Sequence, residues 1–340
     1  MKLIKTENAV GCVLCHDITQ IIKGVTKDAR FRKGHVITEE DIPVLLSIGK
    51  DNIYIYENDE NMMHENDAAK VLVSMCKNEY MSESDVKEGK IELKAEADGL
   101  LKVDKKKLFT VNSFGQMMIA TRHGNTMVKK GDKLAGTRII PLVIEKEKME
   151  MVKKEVGEGS ILKLMPFKHK KAALLTTGNE VYYHRIKDTF SETVMQKLDE
   201  FDVQIIDHVI LPDDNELLTK TILEELEKGA DIVICTGGMS VDPDDKTPLA
   251  IKNTGADVVS YGSPVLPGAM FMIAYMGEKV IMGLPGCVMY ARRTIFDLAL
   301  PRVMADDKIT ADELSSLGEG GLCLGCEVCT FPNCGFGKGW

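Results

Sequence analysis

Three observations predict an α/β chain built on a doubly wound parallel sheet, preceded by β-rich N-terminal modules and followed by a cysteine-rich tail. From residue 168 onward, short apolar runs alternate with amphipathic stretches of helical period. Three of the apolar runs end in glycine beside Thr or Pro, at Thr177-Gly178, Thr236-Gly237-Gly238 and Pro285-Gly286. Four cysteines crowd the last eighteen residues, at 323, 326, 329 and 334. Alternating strand and helix signals belong to sheets with helices on both faces, which take ligands at the carboxyl ends of their strands.

The elements follow in order. Residues 1–57 form an α+β segment. Thr38-Glu-Glu-Asp41 opens a helix closed at Gly49, and residues 52–56 alternate as a strand. Residues 58–160 form a second module. A polar linker over 57–64 leads to a helix at 66–80, then to a β-rich stretch with a strand at 91–95, a turn at 97–99 and a hairpin at 128–135. The charged run 145–158 is a mobile or helical connector. Within 168–305, strands are expected at 172–176, 203–211, 231–235, 257–260 and 279–284. Helices are expected at 191–201, after Asp213-Asp214 with Leu218, Ile222 and Leu226 on one face, and from 289 toward 301. Residues 306–340 form the tail.

Composition narrows the function. The 340 residues carry a formal net charge of −9, against the broad basic surface that nucleic acid or an anionic membrane needs. The N-terminus lacks a signal-peptide core and no run approaches a membrane span, so a cytoplasmic protein is expected. In a reducing compartment nine cysteines point to metal or redox chemistry before disulfides.

The glycine-ended strands carry the site. Paired glycines let the backbone approach a ligand and turn N–H groups toward an anion. Asp245, seven residues beyond Gly238, is the first candidate carboxylate for a divalent cation held against phosphate; the plainer alternative is a cap for the helix begun at Thr247-Pro248. Asp213 and Asp214 also suit an N-cap, Glu180 an ordinary loop, and Asp188 the start of the next helix. Lys168, Lys170, Lys171 and Lys246 are candidates for local positive charge. Cys235 and Cys287 read as small buried hydrophobes, and Cys12-Val-Leu-Cys15-His16 as two core thiols in preference to a metal pair.

Thr177-Gly-Asn-Glu180, Leu211-Pro-Asp-Asp214, the run from Thr236 through Asp245 to Pro248, and Gly283-Leu-Pro-Gly286 together resemble the molybdopterin-binding domain of molybdenum-cofactor biosynthesis proteins, over about residues 168–305. A weaker likeness to the MoeA-like branch covers 1–57. The pattern departs at Cys287-Val288 (Asn-Pro in the family), Asp242 (Gly), Phe190 (Asn), and after Pro267-Gly268, where a lysine is usual. The resemblance implies Mg²⁺-dependent insertion of molybdate into molybdopterin or adenylylated molybdopterin. Thr177, Gly178, Asn179, Asp188, Gly237, Gly238, Met239, Ser240, Pro285 and Gly286 would then bind the pterin, Asp213 and Asp245 would hold Mg²⁺, and Glu180 would position the oxyanion. The alternatives are a molybdopterin carrier serving a client molybdoenzyme and a nucleotide-acting enzyme on the same fold, as in the competence-damage family. A homo-oligomer is the default assembly.

The tail spacing, Cys323-x₂-Cys326-x₂-Cys329-x₄-Cys334, is denser than packing requires and predicts one thiolate-bound metal centre. It is not a two-knuckle zinc ribbon, and it lengthens the last gap of the bacterial ferredoxin run by one residue. Zn²⁺ and an iron–sulfur cluster both remain open.

Overall fold

The computed structural model describes residues 2–55, 59–240, 242 and 245–339. Tyr56 and part of the expected 57–64 linker lie outside that set, as do Val241, Pro243 and Asp244 of the glycine-loop motif. The chain divides into two compact units. The first comprises residues 1–96, 103–122 and 131–163, and the second 97–102, 123–130 and 164–340, so the cysteine tail belongs to the second unit.

The second unit holds a six-stranded mixed sheet. Its strands are β1 (Lys171–Thr177), β2 (Gln204–Leu211), β3 (Ile232–Thr236), β4 (Asp257–Tyr261), β5 (Met272–Met276) and β6 (Lys279–Leu284), in the order β2-β1-β3-β6-β5-β4. The first four in that order are parallel, whereas β5 and β4 are antiparallel at one edge. The main helices are α1 (Phe190–Asp199), α2 (Asn215–Glu227), α3 (Thr247–Asn253), α4 (Ile295–Met304) and α5 (Ala311–Ser316).

Strand alternation sorts the core into two layers. Ala172 and Leu174 face Val194 and Leu198 of α1 and Phe296 of α4, whereas Ala173 and Leu175 face Leu218 and Ile222 of α2 and Ile251 of α3. Helices therefore cover both faces, as doubly wound sheets require. Each fully buried aliphatic side chain in these layers contributes about 2 kcal/mol. Asp214 caps α2, accepting from the N–H groups of Glu216 and Leu217 at 2.9 and 3.0 Å. Thr294 and Asp297 form a capping box on α4.

The sequence reading missed β5, because Phe271-Met-Ile-Ala-Tyr-Met276 is continuously apolar and follows a turn-rich stretch without alternation. The helix expected from 289 starts at Ile295; residues Gly286–Met289 form a short 3₁₀ turn instead. The delay follows from the Thr294 capping box, a stronger start than anything near Met289.

In the first unit, Lys90–Ala95, Lys133–Ile139, Met117–Thr121 and Met81–Glu83 make a four-stranded antiparallel sheet packed by the helix Glu65–Cys76. Several expectations change here. Part of the presumed linker, Met62–His64, is a strand paired with Val143–Glu145. The expected 128–135 hairpin does not form: Thr126–Val128, in the second unit, pairs with Gly99–Val103, while Lys133–Ile139 joins the four-stranded sheet of the first. The charged connector is a helix, Lys146–Val156, because Met149, Val152 and Val156 form a buried stripe at helical spacing beneath its charges. Asp41, read as a capping carboxylate, accepts from the Thr38 N–H at 2.9 Å, as a capping carboxylate does, and also from Thr38 Oγ1 and His35 Nε2. Cys15 is buried and donates to the Tyr54 carbonyl at 3.0 Å, in keeping with a core thiol. Among the described residues no helix is long and apolar enough to cross a membrane.

Candidate functional site

Sheet register builds the site. Thr176 lies opposite Thr236, Thr236 opposite Leu284, and Thr177 opposite Leu211. The residues that follow, Gly178, Gly237, Pro285 and Pro212, therefore leave four parallel strands at one level. Beside them opens a cleft of about 660 Å³, a size suited to a small ligand. It is lined by residues 237–240, Asp245, residues 266–270, residues 284–287, Met289 and Tyr290.

The glycine loop is constrained from below. Gly237 has φ +86°, and a Cβ there would lie 2.1 Å from the Thr177 carbonyl oxygen. Only glycine fits. Thr247 Oγ1 donates to the Gly237 carbonyl at 2.8 Å and its N–H to the Gly238 carbonyl at 3.1 Å, so the start of α3 holds the loop. From the sheet edge, Tyr261 Oη donates to the Met239 carbonyl at 2.8 Å. Burial raises the Tyr261 pKa, with the nearby Asp245 charge adding to it, so this hydroxyl stays a donor. Asp245 itself accepts from the Asp242 N–H at 3.0 Å.

The expected site residues separate into a lining set and a supporting set. Gly237, Gly238, Met239, Ser240, Asp245, Pro285 and Gly286 line the cleft. Thr177 is buried one layer beneath, 3.3 Å from both the Thr236 carbonyl and Thr247 Oγ1. Asp213 accepts from the Asn179 N–H at 2.9 Å, and the Asn179 side chain accepts in return from the Asp213 N–H at 3.4 Å. This reciprocal pair ties the β1 end to the β2 end, outside the cleft lining. Glu180 is exposed and its carboxylate folds back toward Gly178.

Asp188 anchors a polar network under the strand ends. It accepts from the N–H groups of Phe190 and Ser191 at 2.9 and 3.1 Å, from Thr176 Oγ1 at 3.2 Å and from Ser191 Oγ. His208 Nε2 lies 2.9 Å from Ser191 Oγ, and Thr236 Oγ1 donates to Thr176 Oγ1 at 3.2 Å. Burial alone would push the Asp188 pKa up; the hydrogen bonds from Ser191, Thr176 and Phe190 outweigh it and hold the carboxyl below its usual range. With its lone pairs so engaged, Asp188 positions the loops. It does not reach the cleft.

Sequence reasoning missed Thr176, Ser191, His208, Thr247 and Tyr261. Paired threonines before a glycine were the one readable signal, since hydroxyls at adjacent strand ends can lace together. Three expected lysines lie elsewhere. Lys168, Lys170 and Lys171 stand at or before the amino end of β1, the end opposite the cleft, and Lys170 pairs with Asp306. Among the described residues the cleft lining contains no Lys or Arg, and its one charged group is Asp245. Among the same residues no three His, Cys, Asp or Glu side chains gather closely enough to hold a metal ion.

Comparison with known proteins places this geometry. Residues 173–305 match a family described as "Probable molybdopterin binding domain", and residues 3–57 match a domain of unknown function, DUF8806. A CinA-like protein of Thermosipho melanesiensis is 40% identical over 85 residues, covering 25% of this chain and 21% of that protein. A molybdopterin molybdenumtransferase of Haemophilus influenzae is 26% identical over 185 residues, 52% of this chain and 43% of that one. The chain thus spans between about a fifth and less than half of the length of these relatives. The crystal structure of the molybdopterin biosynthesis enzyme MoaB from Thermus thermophilus aligns over 39% of this chain and 91% of its own, at 19% identity and a TM-score of 0.34. Residues 173–305 thus carry a domain of the probable molybdopterin-binding type.

Proposed function

We propose that the cleft binds molybdopterin and that the protein uses it, with Mg²⁺, to insert molybdate. The observation that carries this reading is the cleft lining itself: a backbone loop, residues 237–240, faces one carboxylate, Asp245, with no cationic side chain among the described lining residues. A terminal phosphate placed there has two sources of compensation. Loop N–H groups hydrogen-bond it directly. A divalent cation fits the donor set, because Mg²⁺ binds through one or two carboxylates plus substrate phosphate and water. Bound at Asp245, Mg²⁺ would neutralise the phosphate and the charge on a departing nucleotide when the substrate is adenylylated. In that case water adds across the phosphoanhydride and adenylate leaves.

The remaining roles belong to the chain. Thr247 and Tyr261 hold the loop carbonyls back so that its N–H groups can turn to the ligand. The Asp213–Asn179 pair and the Asp188 network fix the neighbouring strand ends. Glu180, exposed beside Gly178, is the carboxylate available to order the water shell of molybdate.

A second reading has its own observation. The cleft lacks the lysine that the family places after Pro267-Gly268, which favours a carrier that holds the pterin without turning it over. The likeness to CinA-like proteins supplies a third, a nucleotide enzyme. Cofactor formation from purified molybdopterin, with and without adenylylation, Mg²⁺ and molybdate, separates them. The insertase forms cofactor, and Asp245→Asn slows it about 100-fold. The carrier binds tightly without product, and the nucleotide enzyme does not bind pterin.

A further inference from the structure

The cysteine tail is a built lobe. Its backbone adds to the domain through Leu266 N–H to the Gly321 carbonyl and Cys323 N–H to the Leu266 carbonyl, both at 2.8 Å. Phe336 is 5% exposed within the core, and Phe331, Cys323 and Cys334 pack against the same layer. Glycine is required where the tail meets the domain. A Cβ at Gly321 would lie 2.4 Å from the Pro264 carbonyl oxygen, and one at Gly337 2.4 Å from the Leu298 side chain. So close a docking of a segment with few apolar side chains serves something other than core formation.

The lobe encloses a cavity of about 250 Å³, and all four tail cysteines line it. Arg292 and Arg293 line it as well. Both arginines are held in place: Arg292 donates to the Glu327 carbonyl at 2.8 Å, and Arg293 pairs with Asp297 at 2.8 Å and lies over the Phe331 ring at 4.9 Å. Asp297 is in turn fixed by buried Lys197 at 2.6 Å. Arg293 also hydrogen-bonds Cys329.

We infer that this cavity is the seat of a cubane iron–sulfur cluster ligated by Cys323, Cys326, Cys329 and Cys334. One zinc ion would need its sulfurs drawn to a single point at about 2.3 Å. All four thiols line one cavity of about 250 Å³ together with Arg292 and Arg293. A cluster with a volume of its own suits such an arrangement. With four thiolates a resting cubane carries a net charge of about −2, which the two arginines offset. Phe331 and Phe336 line the cavity from the core, whereas Leu322, Leu324, Cys326 and Cys329 are solvent-exposed, and solvent exposure is one of the features that tune such centres. On assembly each of the four thiols releases one proton. Equal ferrous and ferric iron with sulfide supplies the core, so no outside oxidant is consumed.

The test uses the full chain, reconstituted without oxygen from ferrous and ferric iron and sulfide, then desalted. About four iron and about four sulfide per chain are expected, with a broad visible absorption that dithionite bleaches. Cys326 and Cys329 are exposed, so Cys326→Ser and Cys329→Ser should fold normally by circular dichroism yet lose at least about fivefold of the iron. Cys12→Ser, in the other unit, should keep it. Iron-free wild-type protein with four freely alkylated tail thiols would overturn the inference. So would one zinc per chain that iron cannot replace, or serine variants that retain the wild-type iron.

Discussion

Two cavities in one unit are made by opposite means. The strand-end cleft is a product of topology: four parallel strands in register leave their loops at one level, and those loops supply much of the lining. The tail cavity is a product of side chains, four thiols from a segment without a strand or helix of its own and two arginines that precede α4. One presents a single carboxylate and backbone donors, and the other thiols with fixed cations. The first, on the proposed function, would receive a cation together with an anion. The second suits an anionic centre held permanently. Fold decides where the first site is, and local composition decides the second.

The contrast can be broken most severely at Gly237. With φ +86° and the Thr177 carbonyl 2.1 Å from a Cβ, Gly237→Ala should cost about 3 kcal/mol or more in denaturant unfolding and abolish pterin binding. Gly286→Ala has open space and should leave stability within about 0.5 kcal/mol, although Gly286 lines the same cleft. Equal effects of the two would show that the loop is not seated as described.

Next in size is the network beneath the cleft. Asp188→Ala strands the Thr176 and Ser191 hydroxyls and should destabilise by about 2 kcal/mol. The sign of its pH dependence follows from the depressed folded pKa. The stabilisation is present above the unfolded carboxyl value and lost as pH falls through the folded one. Acid titrations of wild type and Asp188→Asn should therefore converge at low pH and separate above it.

The smallest expected effect lies in the first unit, away from either cavity. Burial, partly offset by the nearby Arg138 charge, raises the Glu65 pKa to about 7. The folded state then holds a proton that the unfolded chain has released, so stability falls as pH rises from about 4.5 to about 7. Glu65→Gln should remove that slope and, with solvent screening of a half-buried group allowed for, gain about 1 kcal/mol at neutral pH. An unchanged slope would place Glu65 in contact with water.

How far the sequence disclosed this arrangement depended on the kind of signal. The parallel strands were legible because their apolar runs are bounded by glycine, and the lining loops because Gly-Gly and Pro-Gly stand at strand ends. β5 was not, since a strand buried on both faces lacks alternation. The supporting hydroxyls escaped because Thr176, Ser191 and His208 lie up to 32 residues apart and meet only where β1, β2 and the start of α1 come together. Asp213 was legible beyond a strand end and Asp188 at a helix start, but sequence could not tell a carboxylate that faces ligand from one consumed by neighbouring N–H groups. In the tail, spacing announced the thiols, whereas Arg292 and Arg293 entered the same cavity only through packing.

The central claim is that Asp245 and the glycine loop form a Mg²⁺-assisted site for molybdopterin. Fluorescence titration of the purified full chain with molybdopterin, with and without Mg²⁺, tests it most directly when repeated on Asp245→Asn. The account predicts saturable binding of about one equivalent that Mg²⁺ tightens about tenfold in wild type and leaves unchanged in the variant. Equal tightening by Mg²⁺ in both proteins, or no saturable binding to either, would contradict it.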